Sequence, residues 1–197
     1  MTDEERIEQE LRIRDAVLAI QIKKEIELFH LHLDKVGAPC FVQDFFNKVM
    51  YEAIDSKSLP SVAIAQASVE TGYGRYNKLQ NNIFGIKGRG IRTVTKEYYK
   101  GKFITIRANF QYFPTLKDAF NKHSEILYRY GARGYDYENW LERIKACGYA
   151  TDPLYSHKVR SVIKRYELHR LDKIQILKKK MGVKKVEICN PNFDFIV

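Results

Sequence analysis

Glu70 is the carboxylate of this sequence best placed for acid–base chemistry. It closes an apolar run, Val62, Ile64, Ala65, Ala67 and Val69, that opens on Pro60 and stops at Gly72 and Gly74. Proline suits a first helical turn, where its missing N–H costs nothing. Glycine accepts the left-handed conformation that ends many helices. The stretch therefore predicts a buried helix with Glu70 in its last turn. The negative end of the helix dipole disfavours a carboxylate there, and apolar burial raises its pKa. A carboxyl group kept protonated near neutral pH is what a general acid requires. One carboxylate is not a site, and taken alone Glu70 reads equally well as an inert glutamate at a frayed helix end.

Two other residue types in the chain complete a possible constellation. Val94–Tyr99 and Phe103–Phe113 are rich in Thr, Val, Ile, Tyr and Phe, and Lys100-Gly101 falls between them where a hairpin turn belongs. By alternation Thr95, Glu97 and Tyr99 share one face of this hairpin. Further on, Gly148-Tyr149-Ala150-Thr151-Asp152-Pro153 reads as an irregular loop that carries a tyrosine. Two carboxylates from different elements beside an aromatic groove suit glycoside hydrolysis. One protonates the leaving oxygen, and the other positions water or stabilises oxocarbenium charge. Plainer readings stand beside these: Glu97 paired with Lys96 or Arg107 at the surface, and Tyr149 as a core tyrosine with a bonded hydroxyl.

The remaining elements must hold these residues in place. Residues 2–36 read as one long helix, opened by the capping box Thr2-Asp3-Glu4-Glu5. Leu18, Ile22, Ile26, Phe29 and Leu33 form one apolar face, with Glu and Lys on the other side. His30 and His32 near its end read as surface or packing residues. A second helix is expected over Phe41–Ile54, and Asp55–Ser58 leads into the organising helix. Asn81–Gly90 contains closely spaced glycines without the GxxxxGK[ST] spacing of a phosphate loop. A helix from Thr115 turns Leu116, Ala119, Phe120, His123 and Leu127 to one side. Two more helices are expected, from about Tyr137 to Cys147 and from about Ser156 to Leu171. Residues 174–197, with Lys178-Lys179-Lys180 and Lys184-Lys185, read as a solvated basic tail.

Composition narrows the classes. The 197 residues allow one ordinary domain plus an extension, and 45% hydrophobic residues allow a real core. No apolar run approaches the roughly 20 residues that span a bilayer. The acidic, polar start Met1–Glu5 is not a secretory signal. A net charge of +10 favours an anionic partner such as nucleic acid, a membrane surface or a cell-wall polymer. Cys40, Cys147 and Cys189 are odd in number and lack a CxxC pair, which argues against a disulfide framework or a zinc site. Thirteen tyrosines and eleven phenylalanines can serve both a core and a sugar- or base-stacking groove.

Taken together, several segments resemble one known family. Ala65-Gln-Ala-Ser-Val-Glu70-Thr-Gly-Tyr-Gly74 is similar to the AQAxxESGWG signature of the bacterial glucosaminidases of glycoside hydrolase family 73, which include flagellar muramidase-type domains and autolysins. Asn81–Gly88 resembles their NNLFGIKG segment, Thr95–Tyr98 their T-x-E-Y hairpin and Gly148–Tyr155 their GYATDPxY loop. Order and spacing agree over roughly residues 40–172. Thr71 stands for the usual serine and keeps a hydroxyl; Tyr73 stands for the usual tryptophan and keeps a smaller stacking face.

The resemblance implies a mainly α (α+β), lysozyme-like helical domain over residues 38–173 with a small β-hairpin lobe. Residues 1–37 are then an extra N-terminal helical extension, and 174–197 a basic tail. It implies metal-independent cleavage, without a cofactor, of the β-1,4 bond between N-acetylglucosamine and N-acetylmuramic acid in peptidoglycan. Glu70 would be the general acid, Glu97 the second carboxylate and Tyr149 a catalytic-site tyrosine. Tyr73, Asn82, Phe84, Tyr99, Tyr112 and Tyr155 are the expected substrate-binding residues. The expected partners are glycan strands and, through the basic surface, anionic wall polymers, with no nucleic acid and no transmembrane segment. A protein made in the cytoplasm that reaches the wall as a phage endolysin or virion lysin, or by a non-standard export route, fits the missing signal. The competing readings are a lytic transglycosylase on the same fold, which needs one acid only, a non-catalytic wall-binding assembly protein, and a nucleic-acid binder. The last is suggested by charge alone and lacks a binding motif.

Overall fold

The computed structural model describes residues 2–180. Among them, α1 (Asp3–Lys35), α2 (Cys40–Asp55) and α3 (Pro60–Thr71) precede a hairpin of β1 (Gly90–Tyr99) and β2 (Lys102–Gln111). Then follow α4 (Leu116–Arg129), α5 (Tyr137–Ala146), α6 (Tyr155–Tyr166) and α7 (His169–Lys180). No described helix is long and apolar enough to cross a membrane.

The expected caps form. The Thr2 hydroxyl accepts from the Glu5 N–H at 3.1 Å while the Glu5 carboxylate accepts from the Thr2 N–H at 2.7 Å. A second box, Thr115 with Asp118, opens α4. Leu18, Ile22, Ile26, Phe29 and Leu33 of α1 are all buried and join the same core as α2 and α3. The N-terminal extension is thus integral to the packed body from Leu18 onward. Its opposite face is less polar than expected, because Ile13, Val17, Ile20 and Leu31 stay exposed there.

Helix α3 is the centre of the molecule, with α2, α6 and α7 packed around it. Every residue from Pro60 to Ser68 is buried. The small side chains Ala63, Ala65 and Ala67 let neighbours approach closely, the close packing typical of protein interiors. Gly72 ends the helix at φ +56°, and a Cβ there would meet the Tyr76 ring at 2.5 Å. Only glycine fits both constraints.

The hairpin strands pair antiparallel in a two-stranded sheet, with Tyr99 opposite Lys102. Lys100 and Gly101 form the turn, both at positive φ (47° and 85°), as a two-residue turn matched to strand twist requires.

Two expectations fail here. The single helix expected over 156–171 is broken, because Glu167 takes the left-handed conformation at φ 48° and Leu168 follows outside the helix. The break re-aims the chain so that Leu168, Leu171 and Ile174 are fully buried. The basic tail likewise does not begin at 174. Residues 174–180 continue α7, and Lys178 is buried, paired with Asp55. Its ammonium thus meets a carboxylate from a buried position. The lysine cluster hid this periodicity. Residues 181–197, with Lys184, Lys185 and Cys189, lie outside the described residues.

Candidate active site

A cleft of about 640 Å³ opens over the C-terminal end of α3. Its floor holds Val69 and Glu70. One wall is β1 and β2 with Thr95, Glu97 and Phe103; the other is the loop after α5 with Tyr149, Thr151 and Asp152. The two walls touch, since the Tyr98 N–H donates to Thr151 Oγ1 at 3.2 Å. A smaller hollow of about 150 Å³ shares Glu70, Gly85, Thr95 and Phe110 with it and is lined in part by Asn77, Asn82 and Thr93. Glu70 therefore borders two adjoining hollows that together form a groove.

Glu70 is reachable by water from the cleft yet crowded by protein on its other sides. This enclosure pushes its carboxyl up to about 7, opposed by a hydrogen bond from Tyr155 and by the Lys158 charge. Because the cleft admits water, the push is weaker than in a sealed core, and its upward direction carries the argument. Gly85 (φ +62°) forms part of the enclosure; a Cβ at this position would stand 3.4 Å from Glu70 Oε2.

Tyr149 and Tyr155 both border Glu70. Burial foremost, then the Glu70 charge, pushes both phenols far up, so each keeps its proton and acts as a neutral donor. Glu97 projects from β1 and is held by the Lys87 ammonium, itself more than half exposed. Asp152 shapes the loop by accepting from the Leu154 N–H at 2.9 Å and by pairing with Lys158 at 2.5 Å.

The structure thus brings Glu70, Glu97, Tyr149, Phe84 and Tyr155 to one cleft. Asn82 lines the smaller hollow, but its amide is fully engaged with the chain. It donates to the carbonyls of Ile86 (2.9 Å) and Gln111 (2.8 Å) and accepts from the Ile86 N–H (2.9 Å). That stitches the glycine-containing loop to β2. Phe84 is buried, stacked on His123 at 3.9 Å between centroids, so it is a wall and not a free stacking platform.

Tyr73 is corrected outright. Its backbone is left-handed (φ 58°), which turns the ring away from the groove into Phe41, Phe45, Phe46 and Tyr166. Tyr99 and Tyr112 are exposed and line neither hollow. Residues that sequence reasoning passed over are Lys87, which holds Glu97, and Gln66, whose amide donates to the Tyr155 hydroxyl at 3.1 Å. Both stand inside quoted motifs, so the motif itself was the signal. Among the described residues no cluster of His, Cys, Asp or Glu could hold a metal ion, and His30 is hydrogen-bonded to Asn47 at 2.8 Å.

A helical body with a two-stranded lobe and a carboxyl group at the end of a central buried helix defines a lysozyme-like glycosidase fold. The profile of the family described as mannosyl-glycoprotein endo-beta-N-acetylglucosaminidase matches residues 47–168, more than half of the chain. The chain belongs to this glucosaminidase family, glycoside hydrolase family 73. The exo-glucosaminidase LytG of Bacillus subtilis is 28% identical over 176 residues, which cover 80% of this chain and 62% of LytG. The peptidoglycan hydrolase FlgJ of Vibrio parahaemolyticus is 33% identical over 55% of this chain and 41% of its own. The chain thus spans less than two thirds of these relatives. The catalytic domain of the autolysin Auto from Listeria monocytogenes matches with a TM-score of 0.55 at 30% identity, over 70% of this chain and 93% of that domain. A peptidoglycan hydrolase mutant from Sphingomonas sp. A1 matches with a TM-score of 0.58 at 27% identity, over 66% of this chain and 97% of that one.

Proposed function

We propose that this chain hydrolyses the β-1,4 bond between N-acetylglucosamine and N-acetylmuramic acid in peptidoglycan, with Glu70 as the general acid. The observation that carries the reading is a carboxyl at the end of the central helix on the floor of a cleft, pushed up by its enclosure, with a second carboxylate, Glu97, on the wall of the same cleft. Protonated Glu70 delivers its proton to the leaving glycosidic oxygen. Glu97 stabilises positive charge at the sugar ring or orients the attacking water. Tyr149, neutral and bordering Glu70, donates a hydrogen bond at the same centre. The cell wall is the proposed place of action, reached by host lysis, as part of a virion or by export, with exposed lysines and arginines drawing the protein to anionic wall polymers.

A second reading is a lytic transglycosylase. Glu97 is already engaged by Lys87, and a transglycosylase needs no second carboxylate because the sugar's own hydroxyl attacks. Mass spectrometry of digested peptidoglycan separates them. A new reducing N-acetylglucosamine end supports the proposal, and an anhydro-muramic end supports the transglycosylase. A reducing N-acetylmuramic end transfers cleavage to the other bond. No cleavage by the wild-type chain overturns the enzymatic reading.

A further inference from the structure

The acid does not end at Glu70. Tyr155, which donates to it, accepts from Gln66 Nε2 at 3.1 Å. Gln66 Oε1 faces His123 Nε2 at 2.9 Å, His123 Nδ1 faces the Ser58 hydroxyl at 3.3 Å, and Ser58 Oγ lies 2.8 Å from Ser124 Oγ. These links join α3, α4, α6 and the α2–α3 connection. Ser58, Gln66 and His123 are fully buried, and Ser124 and Tyr155 nearly so. Buried polar side chains are ordinarily satisfied. An unbroken line of five that ends on the acid is more than satisfaction demands.

The line has a direction. With the Gln66 NH₂ on Tyr155, its Oε1 can only accept, so the His123 proton sits on Nε2 and goes to Gln66 Oε1. His123 Nδ1 then accepts from the Ser58 hydroxyl, and with that proton spent the Ser124 hydroxyl donates to Ser58 Oγ while accepting from the Ser58 N–H at 3.0 Å. Gln66 turns its NH₂ to Tyr155, whose own proton is left for Glu70. A neutral imidazole has one donor and one acceptor and passes the sense of the chain through unchanged. Burial holds His123 neutral by lowering its pKa to about 3. With no donor at position 123, the Gln66 amide is free to reverse, and Tyr155 then spends its proton on Gln66 Oε1.

We propose that His123 is a positioning residue for the acid: through Gln66 it fixes the direction in which Tyr155 donates, and so keeps the Tyr155 hydroxyl on Glu70. This rests on Glu70 being the acid of the proposed reaction. Other charges face Glu70 from every side and remain in place when His123 is changed. Lys158 on α6 favours its ionised form, and Lys87 beside the hairpin, Lys96 on β1 and Arg129 on α4 bring further positive charge to the cleft. Glu97 on β1 and Asp152 in the loop bring negative charge to the same cleft, and burial keeps the Tyr149 phenol neutral.

The test reads Glu70 directly. Carboxyl-labelled protein is titrated by NMR, and the pH profile of kcat/KM is recorded in parallel. His123→Phe keeps the ring and the stack on Phe84 but removes the donor. Gln66→Met removes the competing acceptor at similar volume, and His123→Gln restores a donor. Loss of one hydrogen bond to a carboxylate is expected to raise the Glu70 pKa by about one unit in His123→Phe. The alkaline limb of kcat/KM should move up with it, while His123→Gln and the double variant His123→Phe/Gln66→Met should stay near wild type. An unmoved Glu70 titration in folded His123→Phe overturns the relay, as does a double variant shifted as far as His123→Phe. If His123→Phe fails to fold, His123→Leu decides. A wild-type chain that cleaves no glycan defeats the functional reading, while the NMR titration still tests the relay.

Discussion

Asp172 of α7 accepts two hydrogen bonds from Ser61, from its N–H at 2.8 Å and its hydroxyl at 2.7 Å. Ser61 lies in the first turn of α3, the helix that carries Glu70 in its last. The residue in the cap position, Leu59, offers no side-chain acceptor, so a residue 111 positions away caps the helix instead. Gln175 donates to the carbonyls of Ser56 (3.0 Å) and Ser58 (2.9 Å), and Lys178 pairs with Asp55. One face of α7 thus grips the segment that feeds α3. Asp172→Ala is expected to cost about 1–2 kcal/mol, the upper range for a lost cap, and Asp172→Asn less because it keeps an acceptor. Urea unfolding of the two variants checks this; equal stability of Asp172→Ala and wild type would remove the cap from the account.

Glu70→Gln is expected to lower turnover by about 10²–10⁴-fold. The amide is nearly isosteric but has no proton to deliver. Wild-type activity should fall as pH rises through about 7, where the acid loses its proton. The same shift affects stability. The folded state holds a proton on Glu70 over the range between the ordinary carboxylate pKa of 4.5 and about 7, where the unfolded state has lost it. Stability therefore falls with rising pH across that window. The variant should lack this loss and melt above wild type at pH 8. A melting temperature below wild type there would contradict the enclosure argument.

Glu97→Gln separates the two enzymatic readings. In a hydrolase its loss should cut turnover strongly, though by less than Glu70→Gln, and Tyr149→Phe should be impaired as well. Turnover on purified peptidoglycan with product analysis is the measurement. Full activity of Glu97→Gln with anhydro-muramic products would establish the transglycosylase.

Gly85→Ala should act on both stability and catalysis. The position has φ +62°, and the added methyl would stand 3.4 Å from Glu70 Oε2. A left-handed alanine costs about 1–2 kcal/mol, and the crowded carboxyl loses room for the substrate oxygen. Chemical unfolding and kcat should both fall; unchanged kcat would place the methyl clear of the substrate.

What the sequence disclosed was local. Pro60, Gly72 and Gly74 announced both ends of α3, and the apolar spacing Leu18, Ile22, Ile26, Phe29, Leu33 announced the buried face of α1. That Glu70 and Glu97 would face one cleft was legible because motif and element agreed. What escaped depended on contacts distant in sequence or on backbone signs that residue type does not declare. The Asp172 cap joins segments 111 residues apart. Tyr73 and Glu167 adopt positive φ without being glycine, and so one ring left the groove and one helix became two. In α7 a run of lysines concealed the apolar spacing of Leu168, Leu171 and Ile174.

The family profile stops at residue 168, and α7 starts at His169. Every residue of the groove falls within the matched span, while the grip on the far end of α3 falls outside it, as does the buried stripe of α1. The boundary of resemblance is therefore not the boundary of a transplantable part. A chimera that borrows residues 47–168 inherits the tools without their mounting. One that borrows from Leu18 through α7 carries the anchorage with it, and domain-swapping among wall-degrading enzymes should be cut there.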